Sequence, residues 1–377
     1  MNRMTKKALI KSSADCVAGK MRMDNGFSLV EIMVGMVIGL LGIIIITQIF
    51  ALAEGQKRTT TSGADAQTNG NIALYSIERD VRQGGYGLSL DALGCSISTS
   101  FAGNTANPGP LTLAPVTIND GGTNAAGDAL PDTLRTLYST NLISSLPQQL
   151  QNFHPQAAMA ANIGSTFNMA DLDMVVFFEN GNCTLAQVTG VPSSITTFNH
   201  ASTSPWNPPG AGSSVFPAAG YTTAASVIDL GSMAWRGYFI DTVNNSLKFS
   251  EVNANGYSGI ANAIVSASEI VNLQAQYGKD TNGDGIVDTW DTNTPPVGVV
   301  TPNPWSQIIT VRIAVLARSG QYEKPDPVLG CTATTVAPSW SGGTMAVPPF
   351  PNAGLPSCYR YKVFETVVPL RNVIWGI

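Results

Sequence analysis

Apolar and polar positions divide the chain into distinct regimes. Residues 1–26 are mixed and polar, and Phe27–Ala53 then runs almost unbroken in apolar side chains. Glu31 is the only charge in that run, and the 22 residues Ile32–Ala53 carry none. As a helix at about 1.5 Å per residue, those residues reach about 33 Å, enough for a hydrocarbon core of about 30 Å. The pattern predicts a membrane-crossing helix, because a buried core helix is rarely this long and this uniformly apolar. Gly35 and Gly39 form a GxxxG pair that could serve as a packing face. Past the run, Glu54–Gln83 turns polar, but Leu74, Ile77 and Val81 recur at helical spacing and Glu78 and Arg82 stand four apart. The helix is therefore expected to continue, loosened by Gly55, Gly63 and Gly70 at about 1 kcal/mol each, and to stop at Gly84-Gly85-Tyr86-Gly87.

Beyond Leu88 the period changes from helix to strand. Residues 88–164 are rich in Gly, Pro, Ser, Thr and Asn and read as surface loops with short strands. Asp173–Glu179 and Cys183–Val188 flank Asn180-Gly181, a strong hairpin signal, and Ala234–Asp241 and Leu247–Val252 flank Asn244-Asn245. Val271, Leu273, Ala275 and Tyr277 alternate with Asn272, Gln274 and Gln276, which predicts a half-buried strand. Strands are also expected at Ile309–Val315 and Tyr359–Val368. The fold class is α+β: a long N-terminal helix, transmembrane in its first half, packed on an antiparallel β-sheet head with long loops. The expected divisions are 1–26, 27–53 (membrane helix), 54–87 (helix continuation and linker) and 88–377 (β-rich head).

Charge places these parts. Residues 1–26 hold six of the 20 basic and two of the 25 acidic groups, so the remainder carries 14 against 23. Basic residues before the span keep the N-terminus cytoplasmic and send the rest outward. The acidic remainder disfavours nucleic-acid binding, which needs clustered Lys and Arg.

The junction before the apolar run reads Asp24-Asn25-Gly26-Phe27-Ser28-Leu29-Val30-Glu31. A carboxylate in a membrane helix costs about 2.5–3.5 kcal/mol near the bilayer centre, so Glu31 calls for a partner, and a nearby amine is the obvious one. Gly26 through Glu31 resembles the processing site of type IV prepilins and the related secretion pseudopilins. The resemblance implies cleavage after Gly26 by a prepilin peptidase, methylation of the new terminal Phe27, and an assembly role for Glu31, paired with the Phe27 amine of a neighbouring subunit. Residues 1–26 would then be a cleaved leader, with Met21 an alternative start that leaves a leader of six residues. The head, with Ile270–Tyr277 leading into Asp280–Asp291 and the closing Tyr359–Asn372, is similar to minor pilins of the PilW family. Residues 95–260 resemble no known family. The family implies a subunit that primes or caps a type IV pilus together with other minor and major pilins. It would sit in the inner membrane with its head in the periplasm, then in the pilus at the cell surface.

One loop carries definite chemistry. From Asp280 to Asp291, oxygen side chains fall at loop positions 1, 3, 5, 9 and 12 (Asp280, Asn282, Asp284, Asp288, Asp291). Gly285 takes position 6, and the Ile286 carbonyl would be the seventh-position ligand. This is a calcium loop set between strands, and the shorter Asp at position 12 implies weak binding, roughly 10⁻⁴–10⁻³ M. The simpler alternative is a solvated acidic turn held by Asx hydrogen bonds. Cys16 lies in the leader, and the four remaining cysteines permit three pairings. The local closure Cys331–Cys358 is the expected bridge, which leaves Cys95 with Cys183, as suits an oxidising compartment.

Enzymatic motifs are absent: the sequence holds no G-x-x-x-x-G-K-[ST], H-E-x-x-H or G-x-S-x-G. His154 and His200, in polar loops, read as solvated or capping residues, and the six tryptophans as core or loop filling. Two other readings fit the same residues: a type II secretion pseudopilin, and a pilus-tip adhesin or surface-binding module using the long loops.

Overall fold

The computed structural model describes residues 28–374, apart from 103, 105, 107, 110, 142–145, 208–214, 299–302, 324, 326, 327, 332 and 350–357, and apart from the side chains of 58, 59 and 62. Gly26 and Phe27 lie outside the described residues. The chain divides into two compact units, Met1–Lys57 and Arg58–Ile377. Helix α1, Leu29–Gln83, contributes to both.

In the first unit, Leu29–Lys57 is long and apolar enough to cross a membrane, and its large hydrophobic side chains are exposed. Glu31 lies in the first turn, where a carboxylate complements the helix dipole.

In the second unit, α1 buries a stripe of small and branched residues. Ala66, Gly70, Ala73, Ile77 and Val81 are buried, spaced three or four apart along one face, with Asp80 buried beside Val81. The helix ends where Gly84 and the positive-φ Gly85 (φ 83°) turn the chain, and the Gly85 N–H donates to the Leu137 carbonyl at 2.9 Å.

The strands, in chain order, begin with β1 (Ser96–Ser98), β2 (Leu111–Thr112), β3 (Val116–Asn119), β4 (Thr133–Tyr138), β5 (Gln148–Gln149) and β6 (Ala160–Asn162). Next come β7 (Met174–Glu179), β8 (Asn182–Gln187), β9 (Thr197–Asn199), β10 (Ser226–Asp229), β11 (Ala234–Asp241), β12 (Ser246–Asn253), β13 (Gly256–Tyr257) and β14 (Ile264–Ser268). The last are β15 (Ile270–Lys279), β16 (Thr289–Asp291), β17 (Ile308–Arg318), β18 (Ser339–Trp340), β19 (Gly343–Thr344) and β20 (Tyr361–Pro369).

Three main sheets result: β2-β1-β8-β7-β10-β5; β13-β12-β11-β4-β3, with β14 on β12; and β16-β15-β17-β20. The head is thus divided among several sheets rather than one; among the described strands all pairs are antiparallel except β1 with β8, and an isolated bridge between Ala129 and Met345 is also parallel. Both expected hairpins form: β7–β8 around Asn180-Gly181 and β11–β12 around Asn244-Asn245, with left-handed backbone at Asn180, Gly181 and Asn245. The buried stripe of α1 joins Leu273, Ala275, Tyr277, Val311, Ile313, Val315 and Val368 of the C-terminal sheet and Leu134, Tyr238 and Leu247 of the second sheet in one core.

Three expectations are corrected. The segment 88–164 contributes a core strand, β4, in which Leu134, Thr136, Leu137 and Tyr138 are buried. β15 is buried on both faces rather than one. Asn272 and Gln274 tolerate this because Asn272 Nδ2 donates to the Ala129 and Ala346 carbonyls at 2.9 Å and Gln274 Nε2 to the Leu130 carbonyl at 2.6 Å. His154 and His200 are neither solvated nor caps. They are buried against each other, Nε2 to Nε2 at 2.9 Å, among Phe177, Phe198 and Phe216.

Candidate assembly and metal sites

The end of α1 is fastened to the head by charge. A carboxylate in the last turn opposes the helix dipole, yet Asp80 is fully buried there. Arg236 of β11 compensates it, its Nη1 donating to both Asp80 oxygens at 3.1 and 3.2 Å, while the Tyr238 hydroxyl donates at 2.6 Å. Arg236 Nε also donates to Glu251 at 3.0 Å. Burial works against the Arg236 charge, but Asp80, Tyr138 and Glu251 outweigh it and raise its pKa. Burial, and then the Asp80 charge, raise the Tyr238 phenol as well.

The acidic loop joins β15 to β16, so its flanks are strands. Gly283 and Gly285 adopt φ of 79° and 83°, which only glycine takes without strain. Asp280 is buried and turned inward: its carboxylate accepts the Gly283, Asp284 and Gly285 N–H groups at 2.6, 3.3 and 2.7 Å. Asp288 accepts both the N–H and the hydroxyl of Thr281 at 2.7 Å; the hydroxyl first, then the N–H, hold its carboxyl below the usual range. Asn282 Nδ2 stands 3.2 Å from Asp284 and 3.3 Å from Asp288, so the side chains at positions 3, 5 and 9 converge. Asp291 is drawn away from them, its carboxylate 2.6 Å from Lys279 Nζ. Ile286 is exposed. Among the described residues, no three His, Cys, Asp or Glu side chains are already arranged around a metal position.

Cys95 is bridged to Cys183 and Cys331 to Cys358, with Cα separations of 6.1 and 4.9 Å. The first ties the chain entering β1 to its parallel neighbour β8; the second closes the excursion before β20. Sequence reasoning missed the Asp80–Arg236 contact and the paired histidines, and no local signal marks either one.

The family model described as type IV pilus-assembly protein W matches residues 237–372, from within β11 to the end of the C-terminal sheet. The prokaryotic N-terminal methylation motif matches residues 21–47, across the Gly26–Phe27 junction and into the apolar run. Together the two matches support a prepilin of the PilW type. PilW pilins are structural rather than enzymatic. The PilW match reaches back to residue 237, so part of the stretch 95–260 does have a family likeness, contrary to expectation. A type IV-like pilin from Thermus thermophilus is similar at 10% identity and a TM-score of 0.32, over 82% of this chain and 96% of that one. No curated protein matches the chain.

Proposed function

We propose that this PilW-type prepilin is a minor pilin that primes or caps a type IV pilus, assembling through its apolar helix and through contacts of its head with other minor and major pilins. The observation that carries this reading is the pairing of a methylation motif on an exposed apolar helix with a PilW match over the sheet that holds the same helix's other end. Prepilin peptidase would cleave after Gly26 and the new Phe27 would be methylated. Glu31 would receive that terminal ammonium from a neighbour, because pairing the two charges lowers the cost of each in hydrocarbon. Before assembly the subunit would sit in the inner membrane with its head in the periplasm. Calcium would bind in the acidic loop through Asn282, Asp284 and Asp288, with Asp280 bracing the turn; Asp291 would join only by leaving Lys279.

Mass spectrometry of the N-terminus from purified pili tests the reading. A chain beginning at methylated Phe27 is expected, and an uncleaved leader in assembled pili would overturn it. Deletion of the gene is expected to abolish or sharply reduce piliation; normal pili with lost protein secretion would favour a pseudopilin instead.

A further inference from the structure

One face of the C-terminal sheet packs in the core with α1; the other is largely covered, with Val271, Ala314 and Leu316 buried against Met345 and Val347, but it stays partly open around Arg312. There a cleft of about 360 Å³ is lined by Trp290, Arg312, Trp340, Ser341, Glu365 and Thr366. Arg312 of β17 is its cationic group, with the guanidinium carbon 4.8 Å from the centre of the Trp290 ring and 5.3 Å from that of Trp340. Nε donates to Gln276 on the adjacent strand at 2.6 Å, which fixes the plane of the fork. Among the described residues, neither Nη group donates to a protein atom. Glu365 faces the same cleft but is held by Ser341, whose N–H and hydroxyl donate to it at 2.9 and 2.8 Å. Gly278 leaves room for the arrangement: a Cβ there would meet the Trp290 ring and the Thr310 methyl.

We propose that this cleft binds a uronic acid residue of an acidic polysaccharide, its carboxylate on the Arg312 Nη groups and its ring beside the two indoles. A planar guanidinium held at Nε offers its two remaining nitrogens to a carboxylate as a fork. Half-exposed indoles suit a ligand that is apolar on one side and wet on the other. Glu365 decides between anions. Its charge beside Arg312 disfavours a phosphate dianion, and its free acceptor positions suit the hydroxyls of a sugar, which an acidic peptide side chain lacks. The volume lies within the range of small-ligand sites. The proposal stands apart from the assembly role, so its failure would leave that role untouched.

The test is calorimetric titration of the full chain in detergent, with tryptophan fluorescence recorded in parallel, against tetragalacturonate, neutral maltotetraose and tetraglutamate. Tetragalacturonate is expected to bind and to perturb the fluorescence, and Arg312→Gln to weaken it at least tenfold. Arg312→Lys, which keeps the charge but loses the fork, is expected to weaken it several-fold. If Arg312→Gln lowers the melting temperature, Trp340→Ala serves as the second variant and is expected to show the same loss. No binding of tetragalacturonate, equal binding of maltotetraose, tighter binding of tetraglutamate, or affinity unchanged in the variants would each overturn the proposal.

Discussion

Asp80 on α1 and Arg236 on β11 lie 156 residues apart in sequence and meet at 3.1 Å, the acid fully buried and the base largely so. The helix end is therefore locked to the second sheet by a buried charge pair, with Arg79 of the helix adding a second donor to Asp80 at 3.2 Å. Removing one partner of a buried pair costs about 3–5 kcal/mol when the other is left uncompensated; here Arg79 Nε and the Tyr238 hydroxyl still donate to Asp80, so that range is an upper bound. Arg236→Ala is expected to destabilise the head by less than that amount in denaturant unfolding. Arg236→Lys should recover part of it, since one ammonium cannot serve Asp80 and Glu251 together as the guanidinium does.

Two glycines of α1 make opposite predictions. Gly63 has open space around it, so Gly63→Ala should stabilise by about 0.5–1 kcal/mol through helix propensity. At Gly70 an added Cβ would fall within the ring of Phe364 on β20. Gly70→Ala is expected to lower the melting temperature, because displacing that ring outweighs the helical gain.

The histidine pair predicts acid sensitivity. Burial, and then His154, push the His200 pKa down to about 3, and burial lowers His154 as well. A folded pKa below the unfolded value of about 6.5 means the native state takes up protons less readily than the unfolded chain. The histidine contribution is thus fully present above pH 6.5 and lost as pH falls toward 3. Asp132 and Asp229, whose carboxyls burial pushes up to about 7, act with the opposite sign: their contribution fades as pH rises from about 4 toward 7. The histidine part is read as a difference. The wild type should lose about 2 kcal/mol more than a His154→Phe, His200→Phe variant between pH 7 and 4.5, as measured by urea unfolding.

Calcium should change the acidic loop. With millimolar calcium, cleavage by a protease within residues 281–288 is expected to slow, and a chelator should restore it. Asp284→Asn should weaken the protection more than Asp291→Asn, since Asp284 faces Asn282 while Asp291 is paired with Lys279. Equal cleavage with and without calcium would refute binding here.

Much of the fold was legible because its causes are local. The uncharged run to Ala53, the turns at Asn180-Gly181 and Asn244-Asn245 and the glycines of the acidic loop act through hydropathy and backbone freedom within a few residues of chain. The cysteine pairing was legible through loop length at Cys331–Cys358, and Cys95–Cys183 followed by elimination. Asn272 and Gln274 misled because alternation reports polarity, and a polar side chain can be buried when distant carbonyls satisfy it, as those of Ala129, Leu130 and Ala346 do.

By itself, then, the sequence determined that this chain has an apolar helix behind a processing motif and a strand-rich head stapled by cysteines, since composition and short-range spacing suffice for each. Only the tertiary structure decided that Asp80 meets Arg236, that the two histidines share a hydrogen bond inside an aromatic box, and that Arg312 lies against two indoles. Those contacts join residues far apart along the chain, and their energies exist only once packing has excluded water from the space between them.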